Sequence, residues 1–140
     1  MKTHSKESEF IILNSMLNTM LIKKIDRQLN VHGISFTEYL IMHRLNGAPQ
    51  KTMRRIDLAE SVGLSASGVT RLIAPMEKIK LVEKEANPRD ARVSLVKLSK
   101  PGEKLFDEST ITFNETAKYL LEKLSPKQLE AITDLSVKLF

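Results

Sequence analysis

From Phe10 to Leu29 the apolar residues Leu13, Met16, Leu17, Met20, Leu21 and Ile25 recur at helical spacing, enough for one helix of about 20 residues, or roughly 30 Å. Order is expected to begin near Ser8, after a polar start that frays. Asn30 to Gly33 breaks the stripe. Ser35-Phe36-Thr37-Glu38 then reads as a capping box, in which the serine accepts from one backbone N–H and the glutamate reaches back to another. This opens a second helix with Tyr39, Leu40, Met42 and Leu45 available for packing, and Gly47-Ala48-Pro49 stops it.

The middle of the chain changes pattern twice. Ile56, Ala59 and Val62 repeat at helical spacing, and Gly63 ends that short helix because it takes positive φ without a Cβ clash. After a Gly-Leu-Ser turn with Ser65 as N-cap, Val69, Leu72, Ile73 and Met76 fall at i, i+3, i+4 and i+7 on one stripe of the next helix. At about 100° per residue the opposite side carries Ser67, Arg71, Ala74 and Lys78, with Thr70 at its margin. That side has donors and no acid. Two helices joined by a tight turn, the second with a small and cationic outer face, form a helix-turn-helix whose second helix enters the major groove.

Any α-rich core would show such stripes, and the next segment separates the two readings. Leu81–Ala86 and Ala91–Leu98 have strand character, with Val93, Leu95 and Lys97 alternating against Ser94, Val96 and Leu98. Asn87-Pro88-Arg89-Asp90 between them favours a turn, giving a hairpin whose tip carries Arg89, Asp90 and Arg92. A helix-turn-helix followed by a basic hairpin is a winged helix. Beyond it, Ser99 caps a helix with Pro101 in its first turn, running to about Leu124. Its stripe of Phe106, Phe113, Ala117, Leu120, Leu121 and Leu124 is broken by Ser109 and Thr110. Ser125-Pro126-Lys127-Gln128 is a second capping box, opening a final helix with Leu129, Ile132, Ser136, Leu139 and Phe140 on one face. The terminal helices carry more apolar surface than so small a winged helix needs, and the surplus argues for a partner.

Asp57-Leu58-Ala59-Glu60, then Ser65 to Glu77, then Asn87-Pro88-Arg89-Asp90-Ala91-Arg92 leading to Leu98-Ser99, resembles the MarR family of bacterial transcription regulators. Asn87 departs from the acid usual in the wing run, Pro75 from a basic or polar residue, and Lys80 from the glycine that often closes the recognition helix. Pro75 cannot donate to the Arg71 carbonyl and is expected to bend or loosen the helix. The resemblance implies a mainly α fold with a small β-hairpin wing. It implies one domain over 1–140: a winged helix-turn-helix at about 35–98, flanked by dimerisation helices at about 8–30 and 100–140. It further implies a homodimer on palindromic double-stranded DNA, acting as a ligand-responsive repressor. The DNA-binding residues expected are Ser65, Ser67, Thr70, Arg71 and Lys78 on the recognition helix, Arg54 and Arg55 ahead of it, and Arg89, Asp90 and Arg92 on the wing. A small aromatic or phenolic effector would sit between helices one, two and five and the winged helix.

Composition adjusts this picture little. A chain of 140 residues is one domain by size, and the net charge of +5 is a mild basic bias. Segment 51–92 carries nine basic and six acidic side chains, so most of that bias lies in the winged helix. There is no cysteine, which excludes disulfides and a thiol-based sensor. The longest apolar run is Phe10–Leu13, far short of the roughly 20 residues that cross a bilayer, and no signal peptide is visible. A cytoplasmic location is the expectation. His32 and His43 near Glu38 suggest a metal site, but ordinary packing explains them better, and no metal or cofactor is expected. Met16 and Met20 likewise read as packing. No nucleophile, acid and base cluster together, so an enzyme is not expected. The alternative from another class is a winged helix that binds only protein, which would need apolar anchors on the exposed recognition face.

Overall fold

The computed structural model describes residues 3–140. Met1 and Lys2, within the start expected to fray, lie outside the described residues. The elements in chain order are α1 (Lys6–Leu29), α2 (Phe36–Gly47), β1 (Thr52–Arg54), α3 (Arg55–Ser61), α4 (Ala66–Lys78), β2 (Val82–Ala86), β3 (Ser94–Leu98), α5 (Lys100–Leu120) and α6 (Pro126–Val137). Short 3₁₀ turns occupy Asn30–His32 and Pro49–Lys51. α1 starts at Lys6, ahead of Ser8, because Ser5 takes the cap and accepts from the Ser8 N–H at 3.1 Å. Both capping boxes form: Ser35 with Glu38, and Ser125 with Gln128. The first is reinforced from outside, since Asp26 of α1 accepts from the Phe36 N–H at 2.7 Å and so fixes the angle between α1 and α2. α5 closes at Leu120, short of Leu124, and the residues between it and α6 form turns.

Two helices end in the same way. At the end of α3 the Leu64 N–H reaches the Ala59 carbonyl and the Gly63 N–H the Glu60 carbonyl, a Schellman motif with Gly63 at φ +70°. At the end of α4 the Leu81 N–H reaches Met76 and the Lys80 N–H reaches Glu77, with Lys80 at φ +63°. The glycine expected there is absent, but its conformation is kept. A lysine held in the left-handed region costs roughly 1 kcal/mol against glycine. Lys80→Gly should therefore stabilise the fold by about 0.5–1 kcal/mol in urea unfolding, with an unchanged slope; a loss of stability would show that the lysine stem contributes more than its backbone costs. α4 itself runs unbroken through Pro75, whose missing N–H removes only the bond to the Arg71 carbonyl.

The wing is more than a hairpin. β1 pairs antiparallel with β3, which also pairs with β2, giving a three-stranded sheet in the order β1-β3-β2. Side chains alternate across it. Val82, Val96, Leu98 and Met53 face the helices, while Glu83, Lys97, Thr52 and Arg54 lie on the other face. A second correction concerns α3: Ile56 is 59% exposed, and Leu58 and Ala59 make the buried contact instead. With the helix beginning at Arg55, Ile56 falls in a first turn that faces away from the core.

The core gathers Leu29, Met42, Leu45, Leu58, Val69, Ile73 and Met76 over the sheet. Its α2–α5 seam is aromatic, with Tyr39 against Phe106 and Phe113 at centroid distances of 5.2 and 4.8 Å. Ser109 and Thr110, which looked like breaks in the α5 stripe, belong to this seam. Ser109 is fully buried and donates to the Phe106 carbonyl at 3.2 Å; Thr110 shares a 2.8 Å hydrogen bond with the Tyr39 hydroxyl. Burial pushes the Tyr39 hydroxyl above its ordinary pKa despite that bond, so it stays protonated.

The two ends of the chain are different. In α1, Phe10, Ile11, Leu13 and Met16 are all more than half exposed, and α6 buries no residue, leaving Ile132, Leu135 and Leu139 in the open. These faces have no counterpart among the described residues of the chain.

Candidate nucleic-acid interface

α4 presents the face that its spacing predicted. Val69, Ile73 and Met76 are buried, Leu72 is half-buried, and Ser67, Thr70, Arg71, Ala74 and Lys78 are exposed. The hydroxyls on this face are partly engaged. Ser65 accepts from the Gly68 N–H at 3.0 Å as the N-cap and meets Ser67 at 3.2 Å, while Thr70 donates to the Ala66 carbonyl at 3.0 Å. Each keeps lone pairs for an incoming donor such as a base amino group. Arg71 and Lys78 form no ion pair among the described residues, so their charges face solvent undivided.

Three arginines converge beside this helix, each steadied by one acid. Arg54, at the end of β1, pairs with Asp57 at 3.1 Å; Arg55, mostly buried, reaches Glu77 of α4 at 3.4 Å; Arg92, on the wing, pairs with Asp90 at 3.2 Å. The wing turn is built by its own side chains. Asn87 accepts from the Arg89 N–H at 2.9 Å, and Asp90 accepts from the Arg92 N–H at 3.0 Å, so Asn87 supplies the turn bond in place of the usual acid. The Arg92 side chain is 91% exposed yet clamped by the Asp90 carboxylate. Hydrogen bonding from Arg92 holds the Asp90 carboxyl below its ordinary pKa. The clamp is thus intact at neutral pH and lets go only as pH falls through that lowered value. Arg89 is exposed at the tip, apart from the other three.

A crevice between the start of α4 and the wing brings Arg54, Arg55 and Arg92 together with Ser94. Ser94 and the neighbouring Lys84 were not among the site residues expected from sequence. The one available signal was the alternation of β3, which puts Ser94 on the same face as Val96 and Leu98. The histidines serve elsewhere: His32 bonds Thr112 of α5 at 2.6 Å, and His43 lies against the Phe106 ring. No group of three metal-ligating side chains exists among the described residues. No described helix is long and apolar enough to cross a membrane.

An amphipathic helix with a donor-rich outer face, set beside a three-stranded basic wing, defines a winged helix-turn-helix protein. Residues 32–93 match the model of the MarR family. The fold agrees over nearly the whole chain. Sco3205, a MarR family transcriptional regulator from Streptomyces coelicolor solved in complex with DNA, superposes with a TM-score of 0.86 at 20% identity, covering 99% of this chain and 89% of that one. A mutant MarR from E. coli complexed with operator DNA gives 0.83 at 18% identity over 98% and 99% of the two chains. S. aureus MepR, also solved with DNA, gives 0.81 at 22% identity over 93% and 95%.

Proposed function

We propose that this protein is a sequence-specific double-stranded DNA-binding transcription regulator, a homodimeric repressor that reads a palindromic operator. The observation that carries the reading is the exposed side of α4, where Ser67, Thr70, Arg71 and Lys78 offer hydrogen bonds with an exposed wing arginine beside them. A protein-binding winged helix would instead show large apolar anchors on that side. Selection of bound fragments from a genomic library tests the proposal and supplies the operator. Recovery of no enriched fragment by protein of proven fold and dimeric state would overturn it.

The two arginines have separate roles in this reading. Arg71 lies where a bidentate pair to guanine O6 and N7 is worth about 1–3 kcal/mol of discrimination. Arg92, in the flanking minor groove, responds to shape and phosphate charge. Arg71→Ala should relax preference at one or two base pairs per half-site with little change in salt slope. Arg92→Ala should weaken binding to every sequence and flatten that slope by about 1 per wing. Anisotropy on operator and scrambled duplexes over a salt series separates the two; equal losses on both duplexes for both variants would remove direct readout from Arg71.

Ligand response is supported by a cleft of about 500 Å³ between α1 and α5, lined by Lys24, Arg27, Thr112, Glu115, Tyr119 and Leu120. Two cations beside an aromatic ring suit an aromatic carboxylate, and salicylate is the first compound to try. An effector must bind free protein better than operator-bound protein. Calorimetry in both states is expected to show that difference, and equal affinities would mean that the compound is no effector.

A further inference from the structure

We infer that the crevice between α4 and the wing seats one phosphate of the DNA strand that divides the major groove from the adjacent minor groove, with Ser94 among its donors. The inference rests on the DNA-binding reading above and adds a contact to it. If α4 occupies a major groove about 12 Å wide while the wing enters the neighbouring minor groove, the intervening sugar-phosphate strand has to pass between them. This crevice lies between them, so its lining from the β1–α3 side and from the wing meets phosphate oxygens rather than base edges.

Its lining fits that chemistry. Arg54 and Arg55 approach from the β1–α3 side and Arg92 from the wing, and the two openings of the crevice share Arg55 and Ser94. Each guanidinium is held by a single acid, Asp57, Glu77 or Asp90 respectively. A guanidinium has five N–H donors, and one carboxylate occupies at most two of them, so each fork is oriented with donors to spare. Glu77 is the one acid that lines the crevice itself. Its pairing with Arg55 leaves Arg54 and Arg92 to carry the attraction. The Ser94 hydroxyl oxygen is buried and has no hydrogen-bond partner among the described residues, although Ser94 as a whole is partly exposed and lines both openings. A buried hydroxyl left unmet is costly, and one χ1 rotation turns it towards an acceptor in the crevice.

The test uses the full-length protein and the selected operator duplex, with single phosphates replaced in turn by neutral methylphosphonates. For the wild type, one position per half-site, at the boundary between the bases read by α4 and the flanking minor groove, should weaken binding about tenfold. Arg54→Gln should cost about tenfold and Ser94→Ala about threefold on the unmodified duplex; at that position Arg54→Gln should then lose little more and Ser94→Ala only about threefold, less than the wild type, because all or part of the contact is already gone. Ser94→Ala should also melt no lower than the wild type, since it removes an unmet polar group. Losses that multiply, or no sensitive phosphate at the boundary, would overturn the seat while leaving DNA binding intact. Failure of the wild type to bind any duplex would overturn the parent reading instead.

Discussion

Removal of Ser125–Phe140 is expected to split the proposed homodimer into monomers and to abolish tight operator binding. The deleted segment is α6, which buries nothing within its own protomer, so its loss should spare the winged helix itself. What it takes away is the apolar face of Ile132, Leu135 and Leu139, which together with the open half of α1 has no intramolecular counterpart. Exposed patches of this kind mark interaction surfaces in soluble proteins. A monomer presents one α4 and one wing, so about half of the phosphate contacts go, and the salt dependence of residual binding should halve with them. Sedimentation velocity reads the first effect and anisotropy over a salt series the second. A truncated chain that sediments as a dimer would place the interface elsewhere.

The second large effect comes from a single methyl group. Gly102 is buried in the first turn of α5, where a Cβ would lie 2.1 Å from the Leu81 carbonyl oxygen and 2.7 Å from Leu98 Cδ1. The oxygen is backbone and already committed, accepting from the Ser99 N–H at 3.1 Å while the Ser99 hydroxyl lies 2.9 Å away. Gly102→Ala therefore cannot be absorbed by a side-chain shift. Either α5 lifts from the root of the wing or β2 is displaced, at a cost of about 3 kcal/mol or more. For a chain of this size the melting temperature should fall by roughly 10 °C. A fall of only a degree or two would mean that the two segments separate easily, contrary to their close approach.

The sequence made some of these features legible because their causes are local. Capping boxes at Ser35 and Ser125 need only the residues three positions on, and the α4 stripe needs only its own periodicity. Gly63 and the Asn87-Pro88 turn announce themselves by backbone chemistry. What stayed hidden depends on distant partners. β1 is three residues, Thr52-Met53-Arg54, too short for alternation to register, and it exists because β3, some forty positions later, offers an unpaired edge. Ser109 and Thr110 looked like flaws in a stripe because their polarity is satisfied by the turn beneath them and by Tyr39. Ile56 looked like core for the opposite reason, since composition cannot say which way a first turn faces. The crevice was legible in part: its arginines stood out, whereas Ser94 acquires its place only when the wing folds back over α3 and α4.

The pairing of β1 with β3 has a topological consequence. Thr52 lies opposite Lys97, so the chain enters and leaves the α3–α4–β2 unit at neighbouring points, and the unit is a closed loop on a short stem. Beside that stem Lys51 is paired with Glu103 at the start of α5, and Gln50 and Lys51 both hold positive φ. The unit also packs on α2 and, through Leu81, on Gly102 of α5, so a tilt about the stem works against those contacts rather than against the stem. Movement passed from the terminal helices should then reach the reading head as a rotation about residues 49–51 and 99, with its internal hydrogen bonds unchanged. Hydrogen exchange tests this directly: an operator-releasing change should alter protection at the stem and leave α4 as it was.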